Sequence, residues 1–461
     1  MLDLATAARE IGALHKGENA TFYRVTTDSR DLRKGDLFVG IRGERFDGQA
    51  FADQALAAGA AGVVVERGAR ILAEHARLLE VDDTRLALGR LAACWRKRFV
   101  SPLVAVTGSN GKTTVKEMLA SILREVAGAG GVLATAGNLN NDIGMPLTLL
   151  RLTPAHRYAV IEMGMNHLGE ISYLSSLAKP TVAVINNAGT AHIGELGSQE
   201  AIARAKGEIF EALDPEAIAV INSDDAFAGY WRSLLRGQRE VDFGIRNSAA
   251  VSARYELTAS ASLITFCTPE EEFVATLGMA GLHNVRNALA AVACAYALRV
   301  PSSAIVAGLA NCSGIKGRLQ RKRHASGALI IDDTYNANPE SMQAAIAVLA
   351  AQPDRKLFVM GDMGELGADG EAMHASIGAF AKAAGIHALL ALGDKSAAAV
   401  RAFGPGAEHF ASVEELVRAL SGRLEQGATT VLVKGSRFMR MERVIDALGA
   451  VNGESAMNGT A

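Results

Sequence analysis

The sequence LVAVTGSNGKTT, residues 103–114, joins an apolar run to a glycine-containing turn and to a helix that we expect to begin near Thr113. Glycines in such a turn let backbone N–H groups point inward, and the start of a helix favours phosphate. Lys112 can neutralise the β and γ oxygens of a nucleotide, and a threonine hydroxyl can hold Mg²⁺. The stretch therefore predicts an ATP- and Mg²⁺-binding loop made of Gly108, Ser109, Asn110, Gly111, Lys112, Thr113 and Thr114.

The spacing of this loop departs from the standard phosphate-binding loop. Val106 stands five positions before Gly111, where a glycine is usual. The alternative is a glycine-rich strand-to-helix turn that carries its lysine incidentally. Even as a phosphate loop, the stretch fits kinases, motors, transporters and ligases alike. The residues around it must therefore distinguish between these classes.

Two polar side chains follow the next apolar strands of the middle region. Glu162 ends the strand YAVIEM (158–163), and His192 lies just beyond the strand TVAVIN (181–186). Because carboxyl ends of parallel strands meet at one edge of a sheet, both side chains are expected near the phosphates. Glu162 and the Thr113 hydroxyl would give Mg²⁺ two of the oxygen ligands that it prefers. The alternatives are a solvated glutamate and a histidine that only bonds its own loop.

Lys206 lies in AIARAKGEIFEAL (201–213), a helical segment whose residues near the lysine are largely small and apolar. A lysine with a buried stem and an ammonium that reaches water is the ordinary case. Burial also permits a lysine with an altered charge state at an active site. The residues alone favour the first interpretation.

The order of strands and helices predicts an α/β fold in three parts. Residues 1–82 hold short strand-like runs around one helical stretch, which indicates a small α/β domain. Residues 83–313 alternate apolar strands with helices, which implies a parallel sheet covered on both faces. The alternation restarts over residues 314–461 and predicts a doubly wound domain. A chain of 461 residues is also longer than one hydrophobic core usually supports.

Composition and charge exclude several classes of protein. A formal net charge of −2 gives no electrostatic footprint for nucleic acid or an anionic membrane surface. The four cysteines are widely spaced and form no Cys-x-x-Cys motif, so neither disulfides nor zinc is expected. Asp3, Arg9 and Glu10 interrupt the apolar stretch of a signal peptide, and no apolar run reaches the roughly 18 residues of a membrane span. We therefore expect a cytoplasmic protein without membrane insertion. We also expect a monomer, which these features do not themselves determine.

Five segments resemble the Mur ligases and follow the order of that family. They are TGSNGKTTVKEML (107–119), NLNNDIGMPLTLL (138–150), VIEMGMNHLGEI (160–171), AKGEIF (205–210) and GLHNVRNALAA (281–291). The resemblance includes the shortened glycine spacing of the phosphate loop and spans nearly the entire chain except its tail. It implies a UDP-binding N-terminal domain, a central ATPase domain with a phosphate loop and a Rossmann-like C-terminal domain.

The C-terminal region narrows the resemblance within the family. DDTYNANPESM (332–342) and GDMGELG (361–367) are typical of members that add D-alanyl-D-alanine, and the Asp-Asn-Pro-Arg motif usual in the preceding ligase is absent. The resemblance implies an ATP-dependent ligase that joins D-alanyl-D-alanine to UDP-N-acetylmuramoyl-tripeptide through an acyl phosphate in peptidoglycan synthesis. Both diaminopimelate and lysine are compatible with the third position of that tripeptide. The alternatives are the ligase for the third residue, a folylpolyglutamate-type enzyme, a non-ligase ATP-binding protein and a nucleotide-sugar binding module.

The resemblance also implies a catalytic and metal-binding set. Thr113, Glu162 and His192 would coordinate magnesium, and Lys206, as a carbamate, would serve a second magnesium ion. This role reverses the interpretation that the residues alone favour for Lys206. The catalytic residues that the resemblance implies are Lys112, Glu162, His192, Lys206 and Arg318.

The remaining implied residues bind the nucleotide and the substrates. Asn284 and Asn287 match asparagines near adenine, Arg318 matches an arginine that reaches the phosphates, and Asp333 matches an acid that binds ribose. Alternatively, Asn284 is a helix N-cap and the segment around Asp333 is an ordinary turn before a helix. The implied substrate-binding residues are Ser29, Arg30, Arg42, Gly43, Asn138, Asn141, Tyr335, Asn336 and Asn338.

Overall fold

The computed structural model describes residues 1–43, 47–73, 75–191, 193–312, 314–425 and 427–452. Its strands and helices are numbered here in chain order. Short 3₁₀ helices cover Ser29–Asp31, Gly48–Phe51, Ala129–Gly131, Gly367–Asp369 and Arg437–Met439. No helix in these ranges is both long and apolar enough to cross a bilayer.

The N-terminal part of the chain forms a small α/β layer. Its elements are β1 (Leu2–Asp3), α1 (Leu4–Ile11), β2 (Leu14–Lys16), β3 (Thr21–Phe22), β4 (Arg24–Thr26), β5 (Asp36–Val39), α2 (Ala52–Ala57), β6 (Gly62–Glu66) and β7 (Leu78–Val81). The order of the main sheet is β2–β7–β6–β5–β4, in which β4 to β7 run parallel and β2 runs antiparallel. β1 and β3 form a separate antiparallel pair.

The central part of the chain is built on a larger sheet. Its strands are β8 (Leu103–Thr107), β9 (Val132–Ala134), β10 (Tyr158–Glu162), β11 (Val182–Ile185), β12 (Ile218–Asn222), β13 (Arg239–Gly244), β14 (Val251–Leu257), β15 (Ser262–Cys267) and β16 (Glu272–Leu277). Its helices are α3 (Thr84–Arg96), α4 (Lys112–Ala127), α5 (Gly144–Leu149), α6 (Glu170–Ala178), α7 (Ile193–Leu196), α8 (Gln199–Glu211), α9 (Ala228–Ser233), α10 (Leu282–Ala297) and α11 (Ser302–Ala310).

The central sheet is parallel only in part. The strand order is β16–β15–β14–β13–β12–β11–β8–β10–β9, and the strands from β9 to β14 run parallel. β14, β15 and β16 continue the sheet as an antiparallel meander. The sequence predicted the parallel strands, but it did not predict this extension.

Strand β8 shows why the two faces of the central sheet are covered. All its residues are buried, and successive side chains of a strand point to opposite faces. Val104 and Val106 join one hydrophobic core, whereas Leu103 and Ala105 join another. A strand buried on both faces must be apolar throughout, which is the pattern that the sequence shows.

The C-terminal part of the chain forms the third sheet, in the doubly wound arrangement that the sequence predicted. Its elements are β17 (Gln320–Arg323), β18 (Leu329–Asp333), α12 (Pro339–Ala350), β19 (Arg355–Gly361), α13 (Gly370–Ala383), β20 (Ala388–Leu392), α14 (Ala397–Phe403), β21 (Ala407–Phe410), α15 (Val413–Leu424), β22 (Thr429–Lys434), α16 (Glu442–Leu448) and β23 (Val451–Asn452). The strand order is β21–β20–β19–β22–β18–β17–β23, with β17 and β23 antiparallel at one edge.

Three sheets in succession make this the three-domain α/β fold that the sequence predicted. The proposed boundaries at residues 82 and 313 stay predictions, and residue 313 itself lies outside the described residues. The central and C-terminal sheets both direct the carboxyl ends of their parallel strands toward the functional site described below. In β10, Glu162 lies beside Val106 of β8, and in β11, Ile185 lies beside Thr107.

Candidate functional site

The turn between β8 and α4 leaves the start of the helix open to a ligand. Gly111 precedes α4 and no side chain caps the helix, so its first backbone N–H groups lack an intrahelical partner. Helix α8, by contrast, is capped by the Ser198 hydroxyl, which accepts from Ala201 N at 3.1 Å. Uncapped N–H groups and the positive end of the helix dipole together favour phosphate. The start of α4 therefore has features that favour phosphate, and ATP binding by this loop stays a prediction.

Two asparagines that follow β11 hold this loop in place. The main-chain oxygen of Asn187 accepts from Ser109 N at 2.9 Å, and its Oδ1 accepts from Asn110 N at 2.8 Å. Asn186 Nδ2 donates to Asn110 O at 2.9 Å and to Asn287 Oδ1 at 2.9 Å. The sequence prediction missed both asparagines. The sequence feature that could have identified them is an Asn-Asn pair directly after a buried strand, at the sheet edge that carries the phosphate loop.

Gly111 occupies a position that other residues would strain. Its φ is +80°, a left-handed backbone that favours glycine. A Cβ at this position would also clash with Asn287 Oδ1 and Asn186 Nδ2. The loop therefore packs directly against Asn186, which follows β11, and against Asn287 of α10.

Lys112 places a cation over the loop. Its Nζ donates to Gly108 O at 2.7 Å, so the side chain folds back across the turn. Burial lowers the pKa of this ammonium, nearby Glu162 raises it and nearby Arg318 lowers it. The three charged groups therefore lie close enough to influence one another. An ammonium in this position can neutralise the oxygens of a bound phosphate.

Glu162 carries a carboxylate oxygen that has no partner. The residue is 2% exposed at the end of β10, and its Oε1 accepts from Asn140 Nδ2 at 2.7 Å. Its Oε2 is buried without a hydrogen bond. Because an unpartnered buried carboxylate oxygen is costly, a cation is the expected ligand.

The donor set fits Mg²⁺ bound together with a phosphate. Thr113 lines the same cleft as Glu162. Mg²⁺ is usually held by one or two carboxylates plus substrate phosphates rather than by a cage of protein ligands. Within the described residues no three His, Cys, Asp or Glu side chains form a metal site. His192, the further predicted ligand, lies outside the described residues.

Lys206 is buried in α8 rather than directed to water. Only 1% of the residue is exposed, so the interpretation of an ammonium that reaches solvent is wrong. Among the described residues no hydrogen bond or ion pair reaches its Nζ. Burial lowers the pKa of Lys206 well below its ordinary value, and the charge of nearby Lys112 lowers it further. Lys206 therefore lies near the phosphate loop and is readily converted to a neutral amine.

The C-terminal domain adds an arginine and an ion pair to the site. The guanidinium carbon of Arg318 lies 4.2 Å from the centre of the Tyr335 ring, and its Nε is buried without a hydrogen bond. Asp333, at the end of β18, accepts from Lys434 Nζ at 2.6 Å and from Leu319 N at 3.2 Å. The stacking orients the guanidinium, and the ion pair fixes the carboxylate beside it.

Two cavities meet at the phosphate loop. A cleft of about 1160 Å³ lies between the central and C-terminal domains, and a side pocket of about 390 Å³ adjoins it. Asn110, Gly111 and Arg318 line both cavities, so a bound nucleotide can extend from one into the other. The other predicted residues in the cleft are Ser109, Lys112, Thr113, Asn138, Asn141, Glu162, Tyr335, Asn336 and Asn338, and those in the side pocket are Thr114, Asn284, Asn287 and Asp333.

The side pocket contains a histidine that the sequence prediction missed. His283 lines it beside Asn284. Burial lowers the pKa of His283 to about 4, so its imidazole is neutral near pH 7 and can accept a hydrogen bond. Helix α10 begins at Leu282 with Gly281 as its N-cap, so Asn284 is not the cap. Instead, Asn284 Nδ2 donates to Ala280 O at 2.8 Å.

The predicted residues of the N-terminal domain lie apart from these cavities. In the described part of the chain, Ser29, Arg30, Arg42 and Gly43 do not line either one. Arg30 pairs with Asp28 at 2.7 Å and is largely exposed, and Arg42 pairs with Glu66 at 3.1 Å. Their predicted role in binding the UDP portion of a substrate stays a prediction.

A hydrogen bond joins the C-terminal domain to the phosphate loop. Asn338 Nδ2 donates to Asn110 Oδ1 at 2.7 Å, while Asn338 Oδ1 caps α12 by accepting from Ser341 N at 2.9 Å. A second bond runs from Thr190 N to Glu340 Oε1 at 2.8 Å. The turn before α12 is therefore both a helix start and a contact between domains.

Replacing Asn338 with serine should separate these two roles. Serine caps a helix about as well as asparagine but is too short to reach Asn110. We expect ATP affinity, measured by calorimetry, to fall roughly 2- to 10-fold, the equivalent of one neutral hydrogen bond. The melting temperature should stay near that of the parent. Asn338→Ala is the control, since it removes the cap as well and should also lower the melting temperature. Unchanged ATP affinity in the serine variant would contradict the proposed contribution of this contact.

Comparisons with known proteins agree along most of the chain. Residues 106–295 match the Mur ligase middle domain, residues 317–437 match the domain described as Mur ligase, glutamate ligase domain, and residues 21–96 match the Mur ligase family, catalytic domain.

Full-length relatives give the same result. The UDP-N-acetylmuramoyl-tripeptide--D-alanyl-D-alanine ligase of Escherichia coli (strain K12) is 45% identical over 94% of this chain and 95% of that protein. A MurF crystal structure from Acinetobacter baumannii is 38% identical and has a TM-score of 0.89 over 96% of this chain and 98% of that one. A MurF ligase from Thermotoga maritima, solved in complex with ADP, is 29% identical with a TM-score of 0.80 over 92% and 96% of the two chains.

Proposed function

This chain belongs to the Mur ligase family, and from that premise we propose that it joins D-alanyl-D-alanine to UDP-N-acetylmuramoyl-tripeptide with ATP, yielding UDP-N-acetylmuramoyl-pentapeptide for peptidoglycan synthesis. The observation that carries the proposal is the 45% identity to the Escherichia coli ligase of that name over 94% of the chain. The site geometry supports the same reaction. A phosphate loop, an unpartnered carboxylate and an arginine from another domain face one large cleft.

The chemistry begins with activation of a carboxylate. The terminal carboxylate of the tripeptide attacks the γ-phosphate of ATP, which forms an acyl phosphate and releases ADP. Lys112 and Arg318 flank the phosphate loop, where they can neutralise charge on the transferring group. Positioning and electrostatics supply most of the catalysis in phosphoryl transfer.

Amide formation follows in the same cleft. The free amine of D-alanyl-D-alanine attacks the acyl carbon, the C–N bond forms and the C–O bond to phosphate breaks. A water molecule that reached the acyl phosphate would hydrolyse it before the amine could react. The cleft therefore has to close around the intermediate. Contacts between the central and C-terminal domains, such as Asn338 with Asn110 and Thr190 with Glu340, support such a closure.

Magnesium is expected at the edge of the sheet that carries Glu162. Thr113 and Glu162 would hold the ion, and His192 and the carbamate of Lys206 are the further proposed ligands. The bound ion would neutralise the phosphate oxygens and orient them for transfer. The unpartnered Oε2 of Glu162 supports this assignment.

The nucleoside of ATP is proposed to lie in the side pocket. Asn284 and Asn287 line the pocket and would face adenine, and Asp333 would bind the ribose hydroxyls. The ion pair with Lys434 holds Asp333 in place. Tyr335, Asn336 and Asn338, on the loop after β18, would contact the substrates in the main cleft.

ATP-dependent phosphate release tests the proposal. The assay contains UDP-N-acetylmuramoyl-tripeptide with and without D-alanyl-D-alanine, and the product is identified by its mass. Release that requires both substrates and yields the pentapeptide would establish the reaction. Release with a UDP-muramoyl-dipeptide and a diamino acid would move the enzyme one step earlier in the series. ATP hydrolysis that needs no amine acceptor would favour a non-ligase ATPase.

The cellular compartment and the oligomeric state of the protein are also proposals. We propose that the protein acts in the cytoplasm, because both ATP and the UDP-linked precursor are nucleotides of that compartment. We also propose that it works as a monomer, since each domain that the reaction needs is present in one chain. Light scattering at working concentration would distinguish a monomer from a dimer.

A further inference from the structure

A third cavity adjoins the phosphate loop on the side of the linker to the C-terminal domain. We call it the linker pocket. Its volume is about 380 Å³, and it lies between α4, the loop after β9 and the linker that follows α11. The lining residues that matter most here are Thr113, Arg124, Cys312, Lys316, Arg318 and Tyr335.

The linker pocket is continuous with the main cleft. Thr113, Arg318 and Tyr335 line both cavities, and Arg318 lines the side pocket as well. Three openings therefore meet beside the phosphate loop. The proposed function places the peptide substrates in the main cleft and the nucleoside in the side pocket, which leaves the linker pocket without an occupant.

The linker pocket carries an excess of positive charge. One of its lysines, Lys116, is 1% exposed, forms an ion pair with Glu117 and donates from Nζ to Thr135 O at 2.8 Å. Because these two opposite charges offset each other, the carboxylate of Glu117 does not balance the other cations. The arginines at 124 and 318 and the lysine at 316 remain as three positive charges.

The other ionisable groups of the pocket are neutral near pH 7. Burial raises the pKa of the Cys312 thiol to about 11 and also raises the pKa of the Tyr335 phenol. The pKa of Cys312 is raised further by the charge of Glu117 and lowered by that of Arg124, so both charges lie close to the thiol. Neither the thiol nor the phenol reduces the positive charge of the pocket.

Two of the three cations have N–H donors that lack a protein acceptor. Arg124 is partly buried in the last turn of α4, and in the described part of the chain its guanidinium forms no ion pair or hydrogen bond. The Nε of Arg318 is buried without a hydrogen bond. Because buried polar groups nearly always have partners, both arginines indicate an anionic ligand.

We propose that the linker pocket is an anion site that receives inorganic phosphate after amide formation and releases it to solvent. This inference rests on the proposed function and deepens it by assigning the route of one product. When the amine attacks, the C–N bond forms and the C–O bond to phosphate breaks. The proton lost by the amine moves to a phosphate oxygen, and HPO₄²⁻ remains beside the phosphate loop.

The size and charge of the pocket suit this product. Phosphate groups carry a charge of about −1.5 to −2 near pH 7, which the three cations can balance. A volume of about 380 Å³ is more than ten times the roughly 30 Å³ that one water molecule occupies in the liquid, so a hydrated phosphate fits. The pentapeptide and ADP would still occupy the other two cavities at that moment. The linker pocket therefore gives phosphate a way out that neither of the larger products blocks.

A single-turnover experiment tests the route by measuring two rates. Rapid quenching follows formation of the pentapeptide, and a fluorescent phosphate-binding protein follows free phosphate in solution. Arg124→Gln should leave the rate of amide formation unchanged and slow the appearance of phosphate by roughly 10-fold, the equivalent of one hydrogen bond to a charged group. Arg124→Glu should slow phosphate further, because the reversed charge repels the anion. Arg124→Lys keeps the charge and should release phosphate at close to the parent rate.

Arg418→Gln is the matched control. Arg418 is an exposed arginine of α15 that lines none of the three cavities in the described residues, so its loss should change neither rate. Phosphate that still appears together with the amide in both the Gln and the Glu variants at position 124 would overturn the proposal. Equal slowing of both rates would overturn it too, because Arg124 would then act on the chemistry or the fold.

Failure of this inference can be distinguished from failure of the proposed function. Normal pentapeptide formation with unchanged phosphate release in the Arg124 variants contradicts the route alone. A parent enzyme that forms no pentapeptide contradicts the proposed function, and the assigned route is then overturned with it.

Discussion

Lys112→Met is expected to lower kcat/KM for ATP by about 10³-fold or more, because removing one preorganised group that stabilises transition-state charge already costs about 10²- to 10³-fold in other enzymes. Lys112 folds over the uncapped start of α4, where no other lysine lines the cleft in the described residues. Methionine keeps the length and apolar stem of lysine but removes the charge. Phosphate release with both substrates present is the measurement.

The same variant should remain folded. The lowered pKa of Lys112 means that the unfolded chain binds this proton more tightly than the native protein does. At neutral pH the charge therefore favours unfolding, and its removal should not lower the melting temperature. The control is Lys97→Met, at an exposed lysine after α3 that lines neither cavity in the described residues, and this variant should keep full activity. Activity of Lys112→Met within tenfold of the parent would mean that the lysine is incidental to the turn.

The phosphate loop and the strands around it could be predicted because their local pattern determines them. YAVIEM was expected as a strand over 158–163, and β10 covers Tyr158–Glu162. ALIIDD was expected over 328–333, and β18 covers Leu329–Asp333. Parallel strands buried on both faces must be short apolar runs, and a polar residue at the end of such a run falls at the edge of the sheet. Glu162 was identified in this way, whereas the role of Asp333 came only from the family resemblance.

The antiparallel extension of the central sheet escaped prediction for the opposite reason. β14 reads VSARYEL, with Val251 and Ala253 buried and the residues from Arg254 to Leu257 exposed. One face of this region is solvated, so its strands lack the continuous apolar run that identified the others. A search for period-two alternation would have found β15, in which buried and more exposed residues alternate.

The part of the main cleft where the loops after β19 and β22 meet could not be predicted from local patterns at all. Gly364 and Ser436 are 72 positions apart in sequence, and only the pairing of β19 with β22 brings their loops together. Hydrophobic periodicity carries no information about which loops meet. Arg437 looks like an ordinary surface arginine in the sequence, and its place in the cleft depends on that pairing.

Lys206 is a second case in which the local sequence did not determine the surroundings of a side chain. Its helix could be predicted, and α8 covers Gln199–Glu211. Its burial could not, because small neighbours such as Ala203 and Ala205 are compatible with either a buried or an exposed lysine. Packing of α8 against the central sheet decides the question, and the residue alone gave the wrong interpretation. The proposed carbamate gives the buried lysine a chemical function.

Lys206→Ala is expected to lower kcat by about 10²-fold or more, because the loss of a group that holds a catalytic ion typically costs this much. A neutral amine adds to CO₂ with loss of a proton and becomes an anionic carbamate, and the lowered pKa of Lys206 favours the neutral form. Short carboxylic acids such as acetate should partly restore activity, since they can place a carboxylate in the space that the side chain leaves. Enzyme equilibrated with ¹³C-bicarbonate should show a carbamate carbon by NMR in the parent and not in the variant.

The competing explanation, a neutral lysine that only fills space, makes opposite predictions for Lys206→Met. Methionine replaces the buried amine with an apolar group of similar length, so the melting temperature should rise under either explanation. Activity separates them. If Lys206 only packs, the methionine variant stays active and acetate has no effect. If the carbamate is required, the variant is as stable as the parent or more so, yet inactive. Higher stability combined with lost activity would mean that this lysine is retained for its chemistry, although it lowers the stability of the folded protein.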